Sequence, residues 1–165
     1  MNFRNLMVAI AILLVASSFT GMGKVFPNVS LKDLKGNPVK TESFMNNGKI
    51  TVVSFFATWC KPCQLEMDNI GEIYEDWQEA YDMEMVAISI DDARGAAKLN
   101  ALVKSKAWDY QILLDDKQQI KNALGFQTIP QTFLLDQKGN IVYEHNGYKP
   151  GDEVELEDHI AELAE

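Results

Sequence analysis

A chain of 165 residues with 47% hydrophobic content is long enough to bury one sizeable core without a metal or a disulfide framework, so a single domain is expected. Its net charge of −9 excludes the electrostatic footprint of a nucleic-acid binder and of a polybasic membrane patch. The two cysteines, Cys60 and Cys63, form one C-x-x-C pair, which also excludes disulfide stapling of distant segments.

Residues 1–5 carry Arg4 and no acid, residues 6–16 are apolar throughout, and residues 17–23 are rich in small side chains. That is the layout of an export signal. The apolar run is shorter than the roughly 20 residues that cross a bilayer, although counting on to Met22 brings a single-span anchor within reach. Residues 1–23 are therefore expected to be a signal peptide or a signal anchor, and residues 24–165 the folded domain. No cysteine lies near that boundary, which excludes lipid attachment there.

Residues 25–44 alternate loosely around Lys35-Gly36-Asn37-Pro38 and predict a β-hairpin. After a turn at Asn46-Asn47-Gly48-Lys49, the apolar run 50–56 predicts the first buried strand, which leads through Ala57-Thr58-Trp59 into Cys60-Lys61-Pro62-Cys63. From there Leu65, Ile70, Ile73, Tyr74, Trp77 and Tyr81 mark one face of a helix. A second buried strand is predicted over 85–90, with Asp91-Asp92 expected to cap a helix over 93–105. A short strand over 110–114 precedes Asp115-Asp116, expected to cap a helix running to Leu124. Strands over 131–135 and 141–145, joined by Asp136-Gln137-Lys138-Gly139-Asn140, predict a second hairpin. In the acidic segment 152–165, Leu156, Ile160 and Leu163 at helical spacing predict a terminal helix with a solvated acidic face. This order predicts an α/β fold, a mixed central sheet flanked by helices on both faces.

A strand ending at Trp59 and a helix starting at Cys60 would place the Cys60 thiol where unpaired backbone N–H groups and the helix dipole favour a thiolate. Cys60 is therefore the expected nucleophile. Cys63, one turn on and on the same face, is the expected resolving thiol of a redox-active disulfide. Pro62 falls in the first helical turn, where a missing N–H costs little, and Lys61 adds positive charge beside the thiolate. Zinc would have to draw on His145 and His159, which sit on different predicted elements, so no metal is expected. A purely structural disulfide is disfavoured, because so short a loop removes little unfolded-chain entropy. No diffusible cofactor is expected, since the pair itself stores the electrons.

With Trp59-Cys60-Lys61-Pro62-Cys63 on a strand-to-helix turn and Thr128-Ile129-Pro130-Gln131-Thr132 ahead of a strand, the chain resembles thioredoxin-fold proteins. More narrowly it resembles the exported TlpA/ResA-type thiol-disulfide oxidoreductases of the redoxin, AhpC/TSA-like superfamily. The similarity runs from about Phe26 to the C-terminus and takes in an N-terminal β-hairpin and a central insertion around 93–108. It implies a cis bond before Pro130, packing of Pro130 against the sulfurs, and strand-like pairing of substrate with the Ile129 main chain. Trp59 is expected to screen the disulfide and to contact substrate. Ser54 stands where thioredoxins carry a buried aspartate, six residues before the first cysteine, so proton handling must come from elsewhere. Glu66, three residues after Cys63, matches a glutamate that ResA-type proteins hold beside the active site. If partly buried it would accept the Cys63 proton; the alternative is a helix-face carboxylate with no catalytic role.

The resemblance implies a bacterial enzyme of the periplasm, or of the outer face of the cytoplasmic membrane, that reduces disulfides of a client protein. It further implies re-reduction by a membrane electron donor of the DsbD/CcdA type, with cytochrome c maturation as a client route. Pro62, where strongly oxidising relatives have histidine, favours a reductant. Three alternatives stay open. One is a disulfide-forming oxidant. Another is a thiol peroxidase, whose signature proline and threonine are here Val53 and Ala57. The third is a Sco-like copper-binding protein using a histidine such as His145, although such proteins space their cysteines by three residues.

Overall fold

The computed structural model describes residues 24–165, so the expectation of a signal peptide or anchor over 1–23 lies outside the described residues. In chain order the elements are β1 (Ser30–Asp33), β2 (Pro38–Lys40), α1 (Glu42–Met45), β3 (Ile50–Phe56), α2 (Lys61–Tyr81) and β4 (Met83–Ser89). There follow α3 (Ala93–Lys106), β5 (Gln111–Leu114), α4 (Gln119–Leu124), β6 (Gln131–Leu135), β7 (Ile141–Asn146) and α5 (Asp152–Ala164). The strands form one seven-stranded mixed sheet in the order β2-β1-β5-β4-β3-β6-β7.

At its centre, β3 is buried at every position and pairs parallel with β4, which pairs parallel with β5. A parallel strand covered on both faces needs a near-continuous apolar run rather than alternation, and Ile50–Phe56 supplies it. Antiparallel β6 and β7 close one side, and β7 alternates between half-buried and exposed positions, as an edge strand with a single covered face should. The β1–β2 hairpin extends the other side through antiparallel pairing of β1 with β5.

The two faces of β3 carry different chemistry. Phe55 joins Phe26, Phe126 and Phe133 at centroid distances of 6.4, 4.7 and 5.9 Å, and Phe26 in turn meets Phe44 of α1 at 5.9 Å. Stacked, tilted and edge-on contacts of this kind add stabilisation beyond area burial. On the opposite face, Ser54 meets Glu66 of α2, and Phe56 packs edge-on against Trp108 at 5.8 Å. Leu156 and Ile160 of α5 are buried as the helical spacing predicts.

Several local expectations are corrected. The hairpin is shorter than 25–44: Val25 instead bridges Asn140, and 42–45 fold into the short helix α1. Leu65, assigned by periodicity to the buried face of α2, is exposed, and Gln64, Glu66 and Met67 are buried in its stead. Asp92 caps α3 by accepting from the backbone N–H groups of Arg94 and Gly95, but Asp91 is buried and caps nothing. Asp115 accepts from Gln119 and Ile120 N–H as expected of a cap, while Asp116 pairs with Lys32 on the hairpin.

Candidate active site

The chain leaves β3 and turns sharply into α2, and this turn carries both cysteines. Cys60 is the N-cap of α2 in extended conformation, its Sγ accepting from Cys63 N at 3.3 Å, with proline in the first helical turn. The two are joined in a disulfide with Cα atoms 5.4 Å apart. Their exposure differs: Cys60 keeps 5% of its surface while Cys63 has none. A sulfur at this cap faces the unpaired N–H groups of the first turn, the environment that stabilises a thiolate.

The turn is clamped from below by Asp91, just past β4. Its carboxylate accepts from Thr58 N at 2.8 Å, Thr58 Oγ1 at 3.0 Å and Ser89 Oγ at 2.7 Å, while Gln64 Nε2 donates to Thr58 O at 2.8 Å. A buried carboxylate is retained where charge-assisted hydrogen bonds surround it. Gly95 permits the clamp, since a Cβ there would lie 2.6 Å from Asp91 Oδ1.

The Ile129–Pro130 peptide is cis, and Pro130 is buried. Gly147 N donates to Pro130 O at 2.8 Å, and Asn146 Nδ2 donates to Thr128 Oγ1 at 2.7 Å and Gln131 Oε1 at 2.9 Å, tying this loop to β7. Thr58 and Trp59 on one loop and Thr128 and Ile129 on the other line a single open groove, with Arg94 and Lys98 of α3 further along it. Trp59 is 69% exposed and contributes an aromatic wall to the groove.

Glu66 lies in the interior, one turn beyond Cys63. Its carboxylate accepts from Ser54 Oγ at 2.7 Å and from Thr132 Oγ1 at 2.6 Å, and 3% of the residue is exposed. Burial raises its pKa to about 7, against the lowering effect of the two hydroxyl donors and of nearby His145. The carboxyl therefore exchanges its proton near neutral pH, which an exposed helix-face carboxylate does not.

The AhpC/TSA family matches residues 22–144. The thiol-disulfide oxidoreductase ResA of Bacillus thuringiensis subsp. konkukian is 30% identical over 134 residues, covering 81% of this chain and 75% of the relative. The chain belongs to the AhpC/TSA family and is a thiol-disulfide oxidoreductase of the ResA type. The ResA protein of Geobacillus thermodenitrificans is likewise 30% identical, over 82% of this chain and 78% of its own. Among solved structures, a thioredoxin-like protein from Porphyromonas gingivalis superposes with a TM-score of 0.75 and 42% identity, covering 84% of this chain and 91% of that one. The fold is thus the thioredoxin fold, with the hairpin and central insertion expected of ResA-type proteins.

In this ResA-type chain the structure brings Trp59 and Ile129 to one groove and joins Cys60 to Cys63, while Glu66 lies outside that groove, between α2 and the sheet. Sequence reasoning missed three contributors. Ser54 is the departure from the thioredoxin pattern and also the hydrogen-bond donor to Glu66, so the carboxylate is supplied by the helix rather than by the strand. Thr132, on β6 opposite Ser54, is the second donor. Asp91 clamps the turn, and the only sign of this in the sequence is its place at the end of an apolar strand. Val53 and Ala57 are fully buried apolar side chains with no hydroxyl to offer, so the peroxidase signature has no substitute at those positions. Among the described residues no group of three His, Cys, Asp or Glu side chains could hold a metal ion, and His145 and His159 lie on β7 and α5.

Proposed function

We propose that this oxidoreductase is an exported reductant of protein disulfides in which Cys60 attacks and Cys63 resolves. The observation that carries the reading is the asymmetry of the pair: Cys60 caps α2 and keeps an accessible edge, while Cys63 is fully buried, one helical turn before an interior carboxyl that titrates near 7. The Cys60 thiolate attacks one sulfur of a client disulfide, forming a mixed disulfide and expelling the other client sulfur as a thiolate. Cys63 then gives its proton to Glu66, attacks Cys60 Sγ and breaks the bond to the client, so two electrons pass to the client and the pair ends as the disulfide. Trp59 and Ile129 would hold the client in the groove, the main chain beside Pro130 pairing with it as an added strand.

Residues 1–23 would act as the export signal or anchor, placing the domain in the periplasm or on the outer face of the cytoplasmic membrane. An external dithiol must then restore the pair, and a membrane donor of the DsbD/CcdA type fits that need, with cytochrome c maturation as a client route. The test is the reduction potential of the Cys60/Cys63 pair by redox-buffer equilibration and thiol trapping. A value near or below about −230 mV is expected of a reductant; one near −120 mV would reverse the direction of electron flow.

A further inference from the structure

A row of polar side chains crosses the sheet beneath α2 and ends at solvent. Ser54, Thr132 and His145 occupy directly paired positions on β3, β6 and β7, so they share one sheet face with neighbouring Cβ atoms about 4.5–5.5 Å apart. Glu66 spans Ser54 and Thr132. His145, the next in the row, lies with Nε2 3.1 Å from Asp152 Oδ2 and Nδ1 3.3 Å from the Tyr143 hydroxyl. Asp152, the first residue of α5, also accepts from Lys149 N at 2.8 Å. The side chains of His145 and Asp152 are 29% and 20% exposed, so this pair touches both the interior and bulk water.

Between Glu66 and the pair lies a small, partly open cavity lined by Glu66, Ile70, Thr132, His145, Tyr148 and Asp152 among others. It measures about 10 Å³, room for one water, and its polar walls offer that water several partners. None of the residues lining the cavity lines the groove of Trp59 and Ile129. That separation matters because a client seated in the groove closes the direct way out for any proton released at the pair.

We propose that the His145–Asp152 pair is the proton exit of the site: the proton that Cys63 gives to Glu66 passes through one bridging water to this pair and from it to bulk solvent, behind the bound client. The proposal rests on the reading of Glu66 as acceptor of the Cys63 proton. In the balanced step, Cys63 Sγ–H becomes a thiolate, the proton travels from Glu66 to water to the pair, and the expelled client thiolates take protons from solvent. No electron moves along this route. Re-reduction of the disulfide runs the same path inward.

The tyrosines around Glu66 are poor carriers. The Tyr148 hydroxyl donates to Glu153 and is held protonated by its burial and that bond. Tyr143 hydrogen-bonds toward Glu155, and burial also keeps it protonated. Tyr110 is buried below α2 and donates to Met67 O. His145 has one ring nitrogen toward Asp152 and the other toward the Tyr143 hydroxyl, so it can take a proton on one side and give one on the other.

The test uses the reduced full chain and the symmetric aromatic disulfide dithiobis(nitrobenzoate), followed by stopped flow from pH 5 to 9. The first thiolate released reports attack by Cys60, and the second, concentration-independent release reports resolution by Cys63. His145→Gln and Asp152→Asn lie on different elements, and both are expected to slow the second release about tenfold at pH 7, short of the roughly hundredfold or more of a direct acid–base group, and to leave the first unchanged. Added imidazole or formate should restore the second rate, because a small diffusible acid–base can replace a missing proton carrier but not a missing structural support. An unchanged second release in both variants, or a slowed one that no buffer restores, overturns the exit. Glu66→Gln, run in parallel, separates the two readings. If it slows the second release while the other variants do not, the exit fails and the relay stands. If it has no effect, the relay fails and the exit falls with it.

Discussion

Glu66 shows how a common surface residue becomes a neutral-pH group once a helix carries it under a sheet. Desolvation raises its pKa from 4.5 to about 7, and the hydroxyls of Ser54 and Thr132 hold it in place while limiting the rise. The shift has a consequence for folding. Between about pH 4.5 and 7 the folded protein keeps a proton on Glu66 that the unfolded chain has lost, so stability falls as pH rises across that window and levels off above it. The contribution is fully present below 4.5 and is on the order of 3 kcal/mol. Urea unfolding of the oxidised protein at pH 5 and pH 8 should show this loss, and Glu66→Gln should flatten it. An equal slope in the variant would assign the pH dependence to other groups. The same variant should change the pH profile of Cys63 reactivity while sparing that of Cys60; an unaltered Cys63 profile would remove Glu66 from the chemistry.

The β3–α2 turn depends on elements that neighbour it in space but not in the chain. Asp91 lies just past β4 and Asp92 caps α3, so adjacent aspartates carry different duties. Asp92 satisfies exposed N–H groups of a helix, and Asp92→Ala should cost about 1 kcal/mol. Asp91 is buried and accepts from Thr58 and Ser89, so Asp91→Ala should cost roughly 2–3 kcal/mol by leaving the buried Ser89 hydroxyl and the half-buried Thr58 donors without their acceptor. It should also slow disulfide exchange, because Thr58 and Trp59 lose the anchor that aims the turn. Comparing the two variants by denaturant midpoint and by exchange rate checks the assignment; equal effects would refute it.

The sheet and its aromatic face carry the stability of the fold, and the disulfide adds little to it. Closing a loop as short as Cys60–Cys63 removes about 2 kcal/mol of unfolded-chain entropy, whereas truncating a buried phenylalanine costs about 3–5 kcal/mol. Reduction of the oxidised protein should therefore lower its unfolding free energy less than Phe55→Ala does, since Phe55 is fully buried among Phe26, Phe126 and Phe133. Such an ordering lets the pair cycle between redox states without unfolding the domain. A larger loss on reduction than on Phe55→Ala would show that the disulfide is structural.

Much of this was legible in the linear chain because its signals are local. The near-continuous apolar run of Ile50–Phe56, the cysteine pair at a strand-to-helix turn, Pro62 in the first helical turn and the helical spacing of Leu156 and Ile160 each reflect a preference between near neighbours, and each survives in the folded protein. The partners of Glu66 could not be read in the same way. Thr132 reaches it across 66 positions of sequence only because β6 pairs with β3 in the register that sets Thr132 opposite Ser54. A slip of one residue would turn Thr132 to the other face and leave the carboxylate without that donor. The same dependence on register and burial made Asp91 a clamp rather than a cap, sent Leu65 to the surface, and brought Trp59 and Ile129 to one groove. Spacing and composition thus specify which chemistry the chain carries, whereas strand register and burial specify which side chains stand close enough, and dry enough, to support it.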